Sequence, residues 1–266
     1  MKSAKYKGML QEGEQTVERQ ESLVVEKALQ IIVNGKEFSM TMQTPGEERY
    51  LVRGLLHAEG VNLSEFEVFE LSETEGGTIA NTSVICKMEI HGKRRLGSTS
   101  SCGLCGKKSI DNLFNSFEKL EDDFSVNANE IQGYYRKIAE QQSLFQTTGG
   151  CHAASAVDKD GKVLCVFEDI GRHNAVDKVV GWLLENDHLE EAKVLTVSGR
   201  ISFEIIQKCH RAGIPVLTAI SAPSSLAVEM AEKANITLAA FCRGDRATFY
   251  SGFSRVNNIK ELDFIG

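Results

Sequence analysis

From Leu164 onward the chain alternates short apolar runs with helical stretches, and this alternation constrains its fold more than any other feature. Leu164-Cys-Val-Phe167 suits a buried strand and is followed by helical periodicity from about Ala175 to Leu184. Val194-Leu-Thr-Val197 precedes a helix from about Ser202 to Ala212, and Val216-Leu-Thr-Ala-Ile220 precedes one from Ser225 to Ala234. Ile236-Thr-Leu-Ala-Ala-Phe241 closes the series. Short apolar strands alternating with helices predict a largely parallel sheet covered on both faces. Gly213 is placed to cap the second helix, with Pro215 preventing its continuation. In open α/β sheets, ligands bind beyond the carboxyl ends of the strands. Glu168-Asp-Ile-Gly-Arg-His-Asn174, Ser198-Gly-Arg200, Ser221-Ala-Pro-Ser-Ser225 and Cys242-Arg-Gly-Asp-Arg246 all fall there. These loops predict one binding face.

The N-terminal half reads differently. The first twenty or so residues are polar and charged and are expected to form a loose arm. Ala28-Leu-Gln-Ile-Ile-Val33 and Lys36-Glu-Phe-Ser-Met-Thr-Met42 flank Asn34-Gly35, a strong hairpin signal. Glu47 to Ala58 has the apolar spacing of an amphipathic helix. Glu65 to Leu71 and Thr82 to Ile90 look like further strands. The charged stretch Glu118 to Phe124 resembles a solvated connection between domains. The expected division is therefore a small α+β unit over 25–125 and an α/β domain over 126–266.

The chain has 266 residues, 42% hydrophobic and 25% charged, with a formal net charge of −7. That acidity argues against a dedicated nucleic-acid binder. No apolar run reaches the roughly 20 residues that span a bilayer, and the N-terminus lacks a secretory pattern. A cytoplasmic protein with reduced thiols is expected.

Seven cysteines are present. Ser100-Ser-Cys-Gly-Leu-Cys-Gly-Lys-Lys-Ser109 sets Cys102 and Cys105 on glycine-flanked backbone beside two lysines. Neighbouring ammonium groups favour the nucleophilic thiolate. The same spacing would supply half of a structural zinc site, but such sites close with four ligands and there is no second CxxC. A reversible Cys102–Cys105 disulfide is a further use of the pair. Cys86, Cys165 and Cys209 lie among apolar residues and suit a core. Cys151 precedes His152, although adjacent side chains usually diverge, and Cys242 is placed to be packed at a strand end. Arg172, Arg200, Arg243 and Arg246 present forked donors suited to a phosphate cradle. His173 is placed either to orient a ligand or to cap the loop. Asp169 and Asp177 read as capping or pairing residues.

Several separated motifs resemble the FdhD family, the sulfurtransferases that serve formate dehydrogenase as accessory proteins. They are Val33-Asn-Gly35, Thr44-Pro45, Ala58-Glu-Gly60, Ser101-Cys-Gly-Leu-Cys-Gly106, Thr148-Gly-Gly-Cys-His152, Glu168 to Lys178, Val197-Ser-Gly-Arg200 and Phe241 to Arg246, in family order. The resemblance implies a C-terminal cytidine-deaminase-like three-layer α/β domain with a smaller α+β N-terminal domain, assembled as a homodimer. It implies that a cysteine desulfurase donates sulfur as a persulfide on Cys102, with Cys105 as its partner. The recipient would be the molybdenum cofactor, bis-molybdopterin guanine dinucleotide, before its insertion into formate dehydrogenase. Phe241, Cys242, Arg243, Gly244, Asp245 and Arg246 would help bind that cofactor, with no permanently bound metal. A deaminase would need a glutamate after the His152 position and a proline before the CxxC. The chain has neither, which disfavours deamination. A non-enzymatic chaperone that guards the cofactor is the remaining alternative.

Overall fold

The computed structural model describes residues 1–61, 68–84 and 117–258. Its first element corrects the expected loose arm. β1 (Ser3–Glu12) and β2 (Gln15–Val24) pair antiparallel along their whole length, turning at Gly13 with φ 60°. Both faces of this ribbon carry charge, so the sequence shows no buried side from which to read strands.

β3 (Lys27–Val33) and β4 (Lys36–Gln43) form the hairpin expected about Asn34-Gly35, whose φ values of 51° and 74° suit a type I′ turn. α1 (Glu48–Ala58), β5 (Val68–Glu73) and β6 (Gly77–Ser83) complete a four-stranded sheet in the order β4-β3-β6-β5. Leu29, Ile31 and Val33 of β3 pack against Leu51, Val52, Leu55 and Leu56 of α1. Of the strand expected over Thr82 to Ile90, β6 holds only Thr82 and Ser83. From residue 85 on, that expected strand, with Cys86, lies outside the described residues.

The C-terminal half contains β7 (Val126–Asn127), α2 (Ile131–Ala139), α3 (Ser143–Thr148), β8 (His152–Asp158) and β9 (Val163–Asp169). It continues with α4 (Arg172–Glu185), β10 (Ala192–Val197), α5 (Phe203–Arg211), β11 (Val216–Ala219), α6 (Ser225–Lys233), β12 (Thr237–Arg243), β13 (Arg246–Ser251) and β14 (Val256–Asn257). Six strands form one sheet in the order β13-β12-β11-β10-β8-β9. The largely parallel expectation needs correction. β10, β11 and β12 are parallel neighbours, but β8 runs antiparallel to both β9 and β10, and β13 antiparallel to β12. β8 escapes a sequence reading because it is built on Ala153, Ala154 and Ala156, which have little strand propensity.

Coverage on both faces is as expected. Leu195, Leu217 and Leu238 share a core with residues of α4, α5 and α6, while Val194, Val216 and Ala239 pack against Ile131, Tyr134 and Ile138 of α2. The stretch expected as a solvated connector is instead pinned to this half. Leu120 N–H donates to Ala234 O, Asp122 pairs with Lys193, and the buried Arg255 donates to the carbonyls of Leu120 and Asp122. Asp122 is its anchoring charge, while Glu118, Lys119, Glu121 and Asp123 are exposed as expected.

The two halves meet at a crossing of α1 and α4. A Cβ on Gly54 would lie within 2.9 Å of three backbone atoms of Asp177, and one on Gly181 within 2.9 Å of three backbone atoms of Tyr50. Each glycine thus faces the residue one turn before the other glycine. Glu185 of α4 pairs with both Arg49 and Arg53 of α1.

Three histidines couple this packing to pH. Burial holds His57, His152 and His210 below the ordinary histidine value. His57 and His210 each sit against one carbonyl, that of Arg211 and that of Glu118 respectively. The unfolded chain, titrating near about 6.5, therefore binds more protons than the folded one, so stability is complete above that pH and falls as pH drops below it. The melting temperature is expected to decline between pH 7.5 and 5.5. A flat or rising profile over that window would contradict the burial of these rings.

Candidate functional site

The carboxyl ends of β9, β10, β11 and β12 and the start of β8 all lie along one edge of the six-stranded sheet. Three segments converge there: the β9–α4 joint, Ser198-Gly-Arg200 after β10, and His152. Gly199 lets them meet, because a Cβ would lie 3.1 Å from both Cβ and Cδ of Arg172 and 3.4 Å from Nδ1 of His152. Arg200 is exposed beside Arg172. Burial, then the charge of Arg200, lowers the Arg172 pKa, while Glu204 opposes them. Arg172 Nε is buried and has no hydrogen-bond partner among the described residues.

His152 belongs to the same cluster. Burial holds its ring below the usual value, reinforced by Arg172, His173 and Arg200. Ser198 Oγ accepts from Ala153 N–H at 3.0 Å and lies 3.3 Å from His152 Nδ1. In the tautomer that carries its hydrogen on Nε2, Nδ1 accepts the Ser198 hydroxyl proton and Nε2 is a donor. His173 Nε2 lies 2.9 Å from Glu204 Oε2 and 3.3 Å from Ser202 Oγ. This edge concentrates positive charge and donors, countered by Glu204 beside Arg172 and His173 and by Asp169 near His152. Ser202 and Glu204 carry no site signal in the sequence, which marks His152 as a base only beside Cys151 and Ser198 only as part of the Ser198–Arg200 loop. The strand-end rule reaches Ser198 after β10, but not His152, which begins the antiparallel β8.

Most of Glu168-Asp-Ile-Gly-Arg-His-Asn-Ala-Val-Asp-Lys178 turns out to be structural. Glu168 accepts from the N–H groups of Leu144 and Phe145 at the start of α3. Asp169 is fully buried and accepts from Thr44 N–H, Gly171 N–H and Asn174 Nδ2. It pairs at 2.8 Å with Lys178, also fully buried, which donates to Thr44 O. Asp177 pairs with Lys208. The pairing expected of both aspartates is therefore present, and only Arg172 and His173 of this motif reach the edge.

The β12–β13 hairpin is separated from this cluster by β11. At ordinary strand spacing that puts it about 10 Å from the end of β10. Arg243, Gly244, Asp245 and Arg246 are exposed, with Gly244 at φ 58°. Arg243 Nε donates to Ile220 O, and Phe241 N–H donates to Ser221 O, which ties the hairpin to the end of β11. Phe241 has φ 54° and its side chain is 38% exposed. Cys242 points the other way, buried in the core shared with α2. What it offers a ligand is main chain.

The four described thiols are poor nucleophiles. Burial, then the Glu168 carboxylate to which its thiol donates, pushes Cys151 up to about 12. Cys151 and His152 thus turn to different partners and form no dyad. Burial pushes Cys165 up to about 12, Cys242 up to about 11, and Cys209 upward as well. Cys102 and Cys105 lie outside the described residues. Brief iodoacetamide treatment of the native protein at pH 7.5, read by peptide mass spectrometry, is expected to leave Cys151, Cys165, Cys209 and Cys242 unmodified. Rapid labelling of any of them would contradict their burial.

Comparisons with known proteins give the family and the fold. The FdhD/NarQ family model matches residues 24–257. A protein named sulfur carrier protein FdhD from Mycobacterium tuberculosis is 43% identical over 260 residues, covering 91% of this chain and 94% of its own. Its namesake from Thermoplasma acidophilum is 38% identical over 250 residues, covering 90% and 88% respectively. A crystal structure of a candidate formate dehydrogenase accessory protein from Desulfotalea psychrophila is similar with a TM-score of 0.79, over 96% of this chain and 100% of that one. At 22% identity that likeness speaks for the fold. The chain belongs to the FdhD/NarQ family.

Proposed function

We propose that this protein carries sulfur on Cys102 and delivers it to bis-molybdopterin guanine dinucleotide destined for formate dehydrogenase. The relatives' name, sulfur carrier protein, supports the general role. The observation that carries the ligand side is the positive strand-end edge, where Arg172 keeps an unpartnered buried Nε beside Arg200. Pyrophosphate oxygens would take donors from Arg172, Arg200 and His152, and the Phe241–Arg246 hairpin would hold a more distant part of the dinucleotide. A cysteine desulfurase is the donor. The Cys102 thiolate attacks the terminal sulfur of the donor persulfide, a new S–S bond forms, and the donor cysteine leaves as thiolate with the electron pair. Cys105 stands as the exchanging thiol. The protein works in the cytoplasm as a homodimer. Among the described residues no helix is long and apolar enough to cross a membrane.

Incubation with desulfurase and cysteine is expected to add one sulfur atom to Cys102 or Cys105, detected by mass spectrometry. Cys102→Ala is expected to abolish formate dehydrogenase maturation while the circular dichroism spectrum stays unchanged. Maturation at the wild-type level by that variant would overturn the sulfur step, leaving a cofactor-guarding chaperone. Guanosine diphosphate titrated by calorimetry tests the ligand face separately. Arg172→Ala is expected to weaken binding roughly 10- to 100-fold, the cost of losing a charge-assisted hydrogen bond. Unchanged affinity would remove the edge from the proposal.

A further inference from the structure

The β1–β2 ribbon lies almost entirely before the residues matched by the family model, which begin at 24. An isolated two-stranded ribbon is marginal in water, and this one exposes Tyr6 (58%), Met9 (69%), Val17 (56%) and Leu23 (47%). Its two outer edges differ. β1 carries Lys5 and Lys7, and lysines on an edge discourage further strand pairing. β2 has no lysine, and no backbone hydrogen bond from its outer edge is present among the described residues.

The two faces of β2 differ as well. Ser22 and Val24 are partly buried on the side of α3, where a Cβ on Gly150 would lie 3.2 Å from Val24 Cγ1. Val17, Arg19, Glu21 and Leu23 share the opposite, exposed face. That row reads apolar, positive, negative, apolar, and Arg19 and Glu21 pair with each other at 3.1 Å along the exposed strand, a contact that leaves both free to take a partner across the edge. Antiparallel pairing with the same strand of a second copy, about a two-fold axis at Gln20, would set Val17 opposite the partner's Leu23 and Arg19 opposite the partner's Glu21. Both pairs recur by symmetry, giving two apolar contacts and two charge pairs with no like charges opposed. No shift of register is needed to achieve this match.

We propose that the outer edge of β2 is a self-association surface, pairing antiparallel with β2 of a second copy of this chain and joining the two ribbons into a four-stranded sheet. This deepens the homodimer expectation of the proposed function but needs neither the thiols nor the cofactor. The base of the ribbon rests on Gly150, two residues before His152, so the pairing would fix two positive edges within one assembly.

Sedimentation of the full chain at micromolar concentration, with circular dichroism as the check on folding, tests the surface. Arg19→Glu and Glu21→Arg each create two like-charge oppositions, and each is expected to raise the dimer dissociation constant about tenfold or more. The double variant Arg19→Glu/Glu21→Arg reverses both pairs and is expected to restore the wild-type constant. Folded variants whose dissociation constants all equal that of wild type would overturn this surface while leaving a dimer held elsewhere. A wild-type chain that stays monomeric would overturn both the surface and the homodimer. A double variant as weak as either single would show that Arg19 and Glu21 do not oppose one another, and would overturn the register.

Discussion

Asp169→Ala is expected to destabilise the protein by roughly 3–5 kcal/mol, the cost of stranding one member of a buried ion pair. Lys178 is fully buried and its ammonium lies 2.8 Å from the Asp169 carboxylate. Removing that carboxylate leaves the buried ammonium with Thr44 O and, at 3.9 Å, the Glu47 carboxylate, which is too distant for a hydrogen bond. It also removes the acceptor for Thr44 N–H, Gly171 N–H and Asn174 Nδ2. Urea unfolding measures the loss, and a double-mutant cycle identifies its cause. Asp169→Asn and Lys178→Met should each cost more than half of what the double variant costs, because the double no longer buries a lone charge. The expected coupling is about 0.5–3 kcal/mol. Strict additivity would show that the pair is not a unit. Activity lost in such a variant would reflect folding rather than ligand contact, since Asp169 faces away from the open edge.

Gly181→Ala is expected to cost about 3 kcal/mol, at the upper end for an overpacked core. The added methyl would lie within 2.9 Å of backbone atoms of Tyr50, which cannot rotate aside as a side chain can. α1 and α4 would have to separate, lengthening the contacts of Glu185 with Arg49 and Arg53. Gly54→Ala meets the same obstacle from the other helix. The two together should cost less than the sum of the singles, because one displacement relieves both clashes. Wild-type stability in the Gly181→Ala variant would mean that the helices do not cross where the structure puts them.

How much of this was legible depended on whether a residue's environment is written in its neighbours. β10 and β11 are short, largely apolar runs, each followed by a helix, and the apolar β12 closes the series, so their order and burial could be read. The Asn34-Gly35 hairpin was legible because its backbone chemistry is local. β8 was not, since its alanines resemble a loop beside a cysteine. The β1–β2 ribbon reads as an arm because both of its faces carry charge and its burial, as at Ser22 and Val24 of its base, is only partial. At the site, the strand-end rule brought Arg172 and Arg200 to one edge. It could not show that β11 stands between them and the Arg243–Arg246 hairpin, nor that Asp169, Asp177 and Lys178 turn inward. Charged residues in one motif are divided between ligand face and interior by their place at the end of β9, in the first turn of α4 or on its buried side, which adjacency in sequence conceals.

Thr44 has a consequence for any attempt to take this protein apart. Its N–H, hydroxyl and carbonyl contact Asp169, Ile170 and Lys178 in turn, directly behind the loop that presents Arg172. The amino-terminal sheet is in this respect the rear wall of the other half's binding edge. A fragment beginning at Phe117 would keep every arginine of that edge yet lose the carbonyl that steadies Lys178. Neither half is a self-sufficient module, and grafting the carboxyl-terminal half alone onto another protein would transplant the ligand contacts without the brace that aims them.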